Sequence, residues 1–214
     1  MLRLAVHVRG WRRPSRATRM RSARRYSNSA KSCLPNRSSA QPKLTMAAAV
    51  STWSGPSVRN AWQQGFPRFS IDGATLYFAD SPTLQIRKYA YSASGPLEDR
   101  GVFAQLDPDT GIPDGSCIDA DNALWNTQYG GGLTQRYLAD GSRDLQVELP
   151  VSQVTCCCFG GPDYSRLYIS TAAQRLSVDA RATQPLAGGI FVCEPGVNGV
   201  AEDGFAGDAF ALAR

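Results

Sequence analysis

Three stretches in the second part of the chain repeat one order of polar and apolar residues. Each begins with turn-forming residues, continues with a leucine followed by an aromatic residue, and then keeps a short β-rich run. Short runs of this composition, bounded by Gly, Pro, Asp and Asn, are typical of β-strands. The three leucines, Leu76, Leu124 and Leu167, are separated by 48 and then 43 residues. The pattern therefore predicts three related strands, in DGATLYFADS (72–81), DNALWNTQYG (121–130) and DYSRLYISTA (163–172).

A second run follows each of these stretches, and another run precedes each. The following runs are LQIRKYAY (84–91), LTQRYLADG (133–141) and GIFVCEP (189–195), and the preceding runs are RFSI (68–71), SCID (116–119) and CCCF (156–159). A period of about 45 residues with several short strands is the period of a four-stranded propeller blade. No convincing long amphipathic helix is found between residues 66 and 200.

We therefore predict an all-β fold, a partial β-propeller of about three four-stranded blades over residues 66–200. A propeller ordinarily closes with at least four blades. Three blades would leave two open edges, and open edges favour pairing with another chain. The expectation is that the chain either is half of a ring or associates with itself through these edges.

Charge divides the chain into two parts. Residues 1–71 hold 14 Lys/Arg and no acid, whereas residues 72–214 hold the other 9 Lys/Arg and all 18 acids. We interpret residues 1–65 as a basic, disordered arm or a mitochondrial transit peptide, and residues 201–214 as a tail. A basic arm can bind nucleic acid without specificity, but aromatic residues are sparse here and no nucleic-acid partner is expected. No apolar run is long enough to span a membrane, so no membrane partner is expected either.

The six cysteines and the single histidine limit the chemistry that is available. His7 lies in the basic arm and no CxxC pair is present, which argues against a zinc site of Cys and His ligands. The same position of His7 excludes a Ser-His-Asp hydrolase within this chain. Cys156, Cys157 and Cys158 are consecutive, and strand geometry points Cys157 away from the other two. We predict that the cysteines are small buried apolar residues in a reducing, cytoplasmic compartment, with the mitochondrion as the alternative.

The segment GIPDGSCIDADNALW (111–125) places a carboxylate, Asp114, between Pro113 and Gly115. Read from its composition alone, Pro-Asp-Gly is an ordinary turn.

Four segments together resemble the regucalcin, or gluconolactonase-like, family, also called the senescence marker protein family. They are DGATLYFADSPTLQIRKYAYS, GIPDGSCIDADNALWNTQYGGGLTQRY, LPVSQVTCCCFGGPDYSRLYIST and QPLAGGIFV, which cover roughly residues 69–198 in the family's order and spacing. The resemblance is to the second half of the family's fold and does not extend to residues 1–65.

The resemblance implies a six-bladed propeller with one divalent cation, calcium, zinc or manganese, in its central channel, and hydrolysis of sugar lactones. It implies three protein ligands: a Glu in the first blade, an Asn at a strand start, and the Asp of Pro-Asp-Gly, which is Asp114 here. Asp114 is thus the candidate metal ligand and the candidate catalytic residue, with Pro113 and Gly115 fixing the turn that directs it.

Two of the implied ligands have no clear counterpart in the sequence. No acid precedes Asp72, and the Asn position is occupied by Gly65, with Gln64 and Asn60 as the nearest amides. Two hypotheses stay open. The first is a metal-dependent lactone hydrolase, and the second is a truncated, non-catalytic relative or pseudoenzyme.

Overall fold

The computed structural model describes residues 67–201 and, as backbone only, three short strands near the N-terminus. The strands form three antiparallel sheets that are joined along the chain by short turns. The strands are β1 Arg3–Val6, β2 Val8–Gly10, β3 Thr18–Ser22, β4 Arg68–Phe69, β5 Thr75–Asp80, β6 Gln85–Ala90, β7 Glu98–Gln105, β8 Ile112–Ile118, β9 Leu124–Tyr129, β10 Leu133–Tyr137, β11 Arg143–Glu148, β12 Val154–Gly160, β13 Arg166–Thr171 and β14 Ile190–Cys193.

Each sheet is one propeller blade built mainly from consecutive hairpins. The first blade has the order β4-β5-β6-β7. The second blade has the order β8-β9-β10-β11, with β2 added beyond β11. The third blade has the order β12-β13-β14, with β3 and then β1 added beyond β14. The predicted all-β fold of about three blades is confirmed.

The predicted strands coincide with the three inner strands of each blade, whereas β7 and β11 were not predicted as strands. Both lie at the outer side of their blades, where β7 begins with exposed charged residues and lacks a regular apolar alternation. The three short strands β1, β2 and β3 lie within residues 1–65, and the predicted disorder of that region stays a prediction. An outer strand carries unpaired backbone groups that another extended segment can satisfy. The remainder of the N-terminal region lies outside the described residues.

Helical structure is limited among the described residues. One α-helix, α1 Val178–Thr183, follows β13 and has no buried residue, and 3₁₀ turns occupy Ser81–Thr83 and Pro108–Thr110. Ser177 caps α1 by accepting a hydrogen bond from the backbone N–H of Ala180. No described helix is long and apolar enough to cross a membrane.

Alternation along the strands places one apolar layer on each side of the second blade, and a third, smaller cluster of Leu76, Phe78 and Tyr89 lies in the first blade. On β9, Leu124 packs toward the first blade and Trp125 packs toward the third. The layer between the first and second blades is built from Tyr77, Ile86, Phe103, Ala104, Leu106, Ile118, Leu124 and Tyr137. The layer between the second and third blades is built from Cys117, Trp125, Val147, Val151, Val154, Cys157, Leu167, Ile169, Phe191 and Cys193.

A buried ion-pair network fixes the end of β8 in the second blade. The guanidinium of Arg136 donates to Asp119, which is fully buried, at 2.7 Å, and it also pairs with Asp121 and Asp144. Asp119 accepts a further hydrogen bond from the indole N–H of Trp125 at 2.8 Å. A buried carboxylate with this many donors is compensated for the loss of water, so the network holds Trp125 in the core between the second and third blades.

The cysteines divide between the two faces of β12 as the strand geometry predicts. Cys157 is buried, whereas Cys156 is half-buried and Cys158 is exposed. The prediction that the cysteines are buried is therefore confirmed for Cys117, Cys157 and Cys193 and wrong for Cys158. Cys158 lies on the face of the third blade that points away from the second blade, while Cys33 lies outside the described residues.

Candidate functional site

Asp114 lies at a β-bulge in β8, the inner strand of the second blade. In the pairing of β8 with β9, Pro113 is opposite Gln128 and Ser116 is opposite Asn126, so that two residues, Asp114 and Gly115, share the space opposite Thr127. A bulge of this kind turns the side chain away from the direction it would have in a regular strand. The turn predicted for Pro-Asp-Gly is therefore corrected: the tripeptide lies within a strand, and the bulge changes the direction of Asp114.

Four consecutive backbone carbonyls around the bulge each accept a hydrogen bond from a side chain. Two of the donors come from the first blade and two come from β9 of the second blade. The bonds are Ser81 Oγ to the Pro113 carbonyl (2.7 Å), Asn126 Nδ2 to Asp114 (2.9 Å), Thr127 Oγ1 to Gly115 (3.0 Å) and Arg68 Nε to Ser116 (2.6 Å). Satisfied carbonyls keep an irregular backbone from shifting, so both blades determine where Asp114 lies.

Gly115 lets the inner strands of the second and third blades approach closely. A Cβ atom at this position would be 2.6 Å from Cys156 Sγ and 2.7 Å from Cys156 Cα. Real Cβ atoms are not found this close to a neighbouring backbone. The glycine is thus required by the contact between blades, which differs from the turn-forming role expected of it.

Burial sets the electrostatics of Asp114. Loss of water around the side chain raises its pKa to about 6, against a weaker opposite effect of a hydrogen bond from the Gly115 backbone N–H. Among residues 67–201, no Lys or Arg forms a salt bridge with Asp114. The carboxylate is half-buried and lacks a positively charged partner there, which is a state that a cation would relieve.

Among the described residues, Asp114 is the one candidate that the sequence offered as a ligand for a divalent cation. A carboxylate oxygen is a suitable ligand for calcium, magnesium or manganese. The described part of the chain contains no group of three or more His, Cys, Asp or Glu side chains that could hold a metal ion. The other positions considered from the sequence, Asn60, Gln64 and Gly65, lie outside the described residues.

Buried amides beside the site were not predicted from the sequence. Asn126 and Gln128 lie on one face of β9, are at most 2% exposed, and each keeps one side-chain oxygen without a hydrogen-bond partner. Asn126 donates to the Asp114 carbonyl and Gln128 donates to the hydroxyl of Tyr137 at 3.1 Å. The signal was present as the polar run NTQ (126–128) inside an otherwise apolar repeat.

Comparison with known proteins identifies the class to which this fold and site belong. The family model for the SMP-30/gluconolactonase/LRE-like region matches residues 65–173. The chain therefore belongs to this family, as the four sequence segments indicated.

Individual relatives agree with this assignment. The chain is 39% identical to regucalcin of Xenopus laevis over 142 residues, which is 65% of this chain and 48% of that protein. It is 40% identical to L-arabinolactonase of Azospirillum brasilense over 139 residues, which is 65% of this chain and 46% of that protein. Among solved structures, regucalcin of Agrobacterium tumefaciens, a calcium-binding protein, is 34% identical with a TM-score of 0.59, covering 64% of this chain and 48% of that one.

The chain spans about half the length of these relatives. The predicted location in the cytoplasm or mitochondrion, the predicted self-association and the predicted lack of membrane and nucleic-acid partners stay predictions.

Proposed function

We propose that this chain takes part in the metal-dependent hydrolysis of sugar lactones, with Asp114 as a ligand of the metal ion. The observation that carries the proposal is the half-buried carboxylate of Asp114, which a β-bulge redirects and whose pKa is raised to about 6. Membership of the gluconolactonase family and the similarity to an L-arabinolactonase support the substrate class.

The chemistry of lactone opening explains why a carboxylate belongs at this position. A bound divalent cation would polarise the lactone carbonyl and make a water molecule more acidic. Asp114 would hold the cation through its oxygens, and hydrogen bonds from Ser81, Asn126, Thr127 and Arg68 keep its strand in place. We propose proton acceptance as a second role of Asp114, because a carboxylate beside a metal-bound water can take up its proton.

The choice of metal follows from the ligand chemistry. Oxygen ligands suit calcium and manganese better than zinc, which prefers nitrogen and sulfur. A non-catalytic relative is the second candidate function. The observation that favours it is that residues 67–201 bring no second acidic, cysteine or histidine ligand together with Asp114 in a three-ligand group.

Metal titration of the whole chain tests the proposal. Calcium, manganese and zinc are titrated separately into the chain and into Asp114→Ala by calorimetry, and hydrolysis of L-arabinono-1,4-lactone and D-glucono-1,5-lactone is measured on the same samples. We expect binding of at least one cation to weaken by tenfold or more in Asp114→Ala, and metal-dependent lactone hydrolysis to be lost. Asp163→Asn is the matched control, because Asp163 is an exposed turn aspartate bonded to Ser165.

Equal metal affinity in the unmodified chain and in Asp114→Ala would show that Asp114 is not a ligand of the metal ion. A folded chain that binds no cation and hydrolyses neither lactone would contradict the proposal and favour the non-catalytic candidate.

A further inference from the structure

Two buried thiols face each other between the second and third blades. Cys117 lies on β8 and Cys157 lies on β12, and their Sγ atoms are 3.5 Å apart. The two side chains are 3% and 2% exposed and belong to the same apolar layer. The strands that carry them belong to different sheets, so no backbone ladder fixes one to the other at this point.

The two inner strands are in close contact beside this pair of thiols. A Cβ atom on Gly115 would lie 2.7 Å from Cys156 Cα. A disulfide bond is about 2.05 Å long, and the two Sγ atoms are 3.5 Å apart. The sulfurs must therefore move about 1.5 Å closer to form the bond.

We propose that Cys117 and Cys157 are an oxidisable pair that closes to a disulfide between the second and third blades, with hydrogen peroxide as the oxidant. Nothing in this proposal depends on the lactonase function. In a reducing compartment the pair is held as two thiols, and under oxidative conditions it forms a covalent link three residues from Asp114.

The reaction balances with peroxide alone. The thiolate of one cysteine attacks one oxygen of hydrogen peroxide, the O–O bond breaks, and a sulfenic acid and hydroxide form. The sulfur of the second cysteine then attacks the sulfenic sulfur, the S–O bond breaks and water leaves. Two thiols are oxidised to one disulfide, and one peroxide is reduced to two waters.

The surroundings of the pair make this oxidation slow at neutral pH. The hydrogen bond with Cys117, together with burial, holds the pKa of Cys157 well above its usual value. Because the thiolate is the reacting form, the rate of closure rises with pH. The small size of peroxide suits a site that lies within a packed interface.

A disulfide here would restrict the unfolded chain. It would close a loop of 40 residues that contains β9, β10 and β11 of the second blade. A cross-link over a loop of this length stabilises the fold when the native geometry accommodates it. The expected consequence of oxidation is a higher thermal midpoint.

Peptide mapping of the oxidised full chain tests the proposal. Trypsin releases residues 144–166 as one peptide, which contains Cys156, Cys157 and Cys158. The background variant is therefore Cys156→Ser/Cys158→Ser, in which Cys157 is the only thiol of that peptide. The folded protein is treated with hydrogen peroxide at pH 8, blocked with iodoacetamide and digested. We expect residues 101–136, which contain Cys117, to be linked to residues 144–166, with the loss of two hydrogens in mass and a raised thermal midpoint before digestion.

Three further variants in the same background separate the pair from its neighbours. Cys117→Ala removes the link and the rise in midpoint, and Cys117→Ser replaces it should the alanine variant not fold. Cys193→Ser keeps both, because Cys193 belongs to the same buried cluster but has no sulfur contact with Cys117. The proposal is overturned if the folded protein gives no 101–136 to 144–166 link, or if the link forms only after denaturant is added.

Discussion

At the scale of single residues, burial decides the properties of Asp114. The aspartates of the exposed turns, such as Asp140 and Asp163, accept hydrogen bonds from serines two residues ahead, which lower their pKa values. Burial of Asp114 removes water from its carboxylate and raises its pKa, and the hydrogen bond from the Gly115 backbone N–H lowers the pKa by a smaller amount. The same residue type therefore has opposite pKa shifts in one chain, and burial without a salt bridge among residues 67–201 makes the charged form of Asp114 unfavourable.

The raised pKa of Asp114 predicts how its replacement changes stability with pH. The folded pKa of about 6 lies above the ordinary value of 3.8 for an aspartate, so the group stabilises the fold fully below about pH 4 and loses that contribution as pH rises through 6. In the presence of a chelator, we expect Asp114→Asn to raise the free energy of unfolding at pH 7.5 by roughly 1 kcal/mol, a value discounted for solvent screening. The advantage should shrink toward pH 4, as measured by urea unfolding.

The matched replacement for this comparison is Asp140→Asn, in an exposed turn where the pKa is lowered. A difference between Asp114→Asn and the unmodified chain that stays the same at pH 4 and pH 7.5 would contradict the assigned shift.

At the scale of elements, the repeated Leu-aromatic pair has a consistent meaning in all three blades. The leucine of each pair points to the side of the preceding blade, and the aromatic residue points to the side of the following blade. Tyr77 and Trp125 are buried because a following blade is present. Tyr168 is only half-buried, since it lies on the outer face of the third blade. The aromatic residue of the repeat is therefore fully buried only where a following blade covers it.

The closeness of β8 and β12 predicts a specific sensitivity at Gly115. In Gly115→Ala the new Cβ atom would overlap Cys156, so the inner strands of the second and third blades must separate. Overpacking of this kind costs about 1–3 kcal/mol of the free energy of unfolding, which chemical denaturation would measure.

Gly95→Ala is the control for this substitution. Its added Cβ atom would have Ser92 Oγ as nearest neighbour at 3.5 Å, an ordinary contact. Equal effects at Gly115 and Gly95 would show that the close approach of β8 and β12 does not exist in solution.

At the scale of the whole molecule, two apolar layers join the three blades. Phe103 of the first blade stands between Tyr77 of the same blade, at a ring distance of 4.8 Å, and Tyr137 of the second blade, at 6.2 Å. Trp125 of the second blade meets Phe159 of the third at 6.0 Å. Edge-to-face pairs such as these stabilise beyond the area they bury.

Removing the ring of Phe103 should weaken the whole described fold. We expect Phe103→Ala to lower the free energy of unfolding by about 3 kcal/mol, since it leaves a cavity between the first and second blades. These measurements use a background in which Trp11, Trp53 and Trp62 are replaced by phenylalanine, so that Trp125 is the one tryptophan of the chain. Far-ultraviolet circular dichroism and tryptophan fluorescence should then report the same lowered midpoint, because Trp125 lies in the other layer of the second blade. Val102→Ala is the control, as Val102 is 45% exposed on the same strand. Two separate midpoints would show that the blades unfold independently.

Local sequence patterns were sufficient to predict the number and order of the inner strands. The pattern that predicts a β-strand involves only residues that are neighbours in the chain. The repeats around Leu76, Leu124 and Leu167 were therefore enough to predict the three blades. The same local rule placed Cys157 on the face opposite to Cys156 and Cys158. The resemblance of the PDG segment to the family singled out Asp114, although it suggested a turn there.

Features that depend on residues far apart in the chain could be seen only in the folded structure. The bulge at Asp114 is held by Ser81 and Arg68, which are 32 and 48 residues from the groups they bind. Cys117 and Cys157 meet across 40 residues, and the network of Arg136 and Asp119 spans 17. The periodicity of apolar residues along the chain does not predict these contacts, because they arise from the packing of one blade against the next. The local sequence pattern determines which residues form the strands of each blade. The contacts between blades determine the positions of Asp114, Cys117 and Cys157.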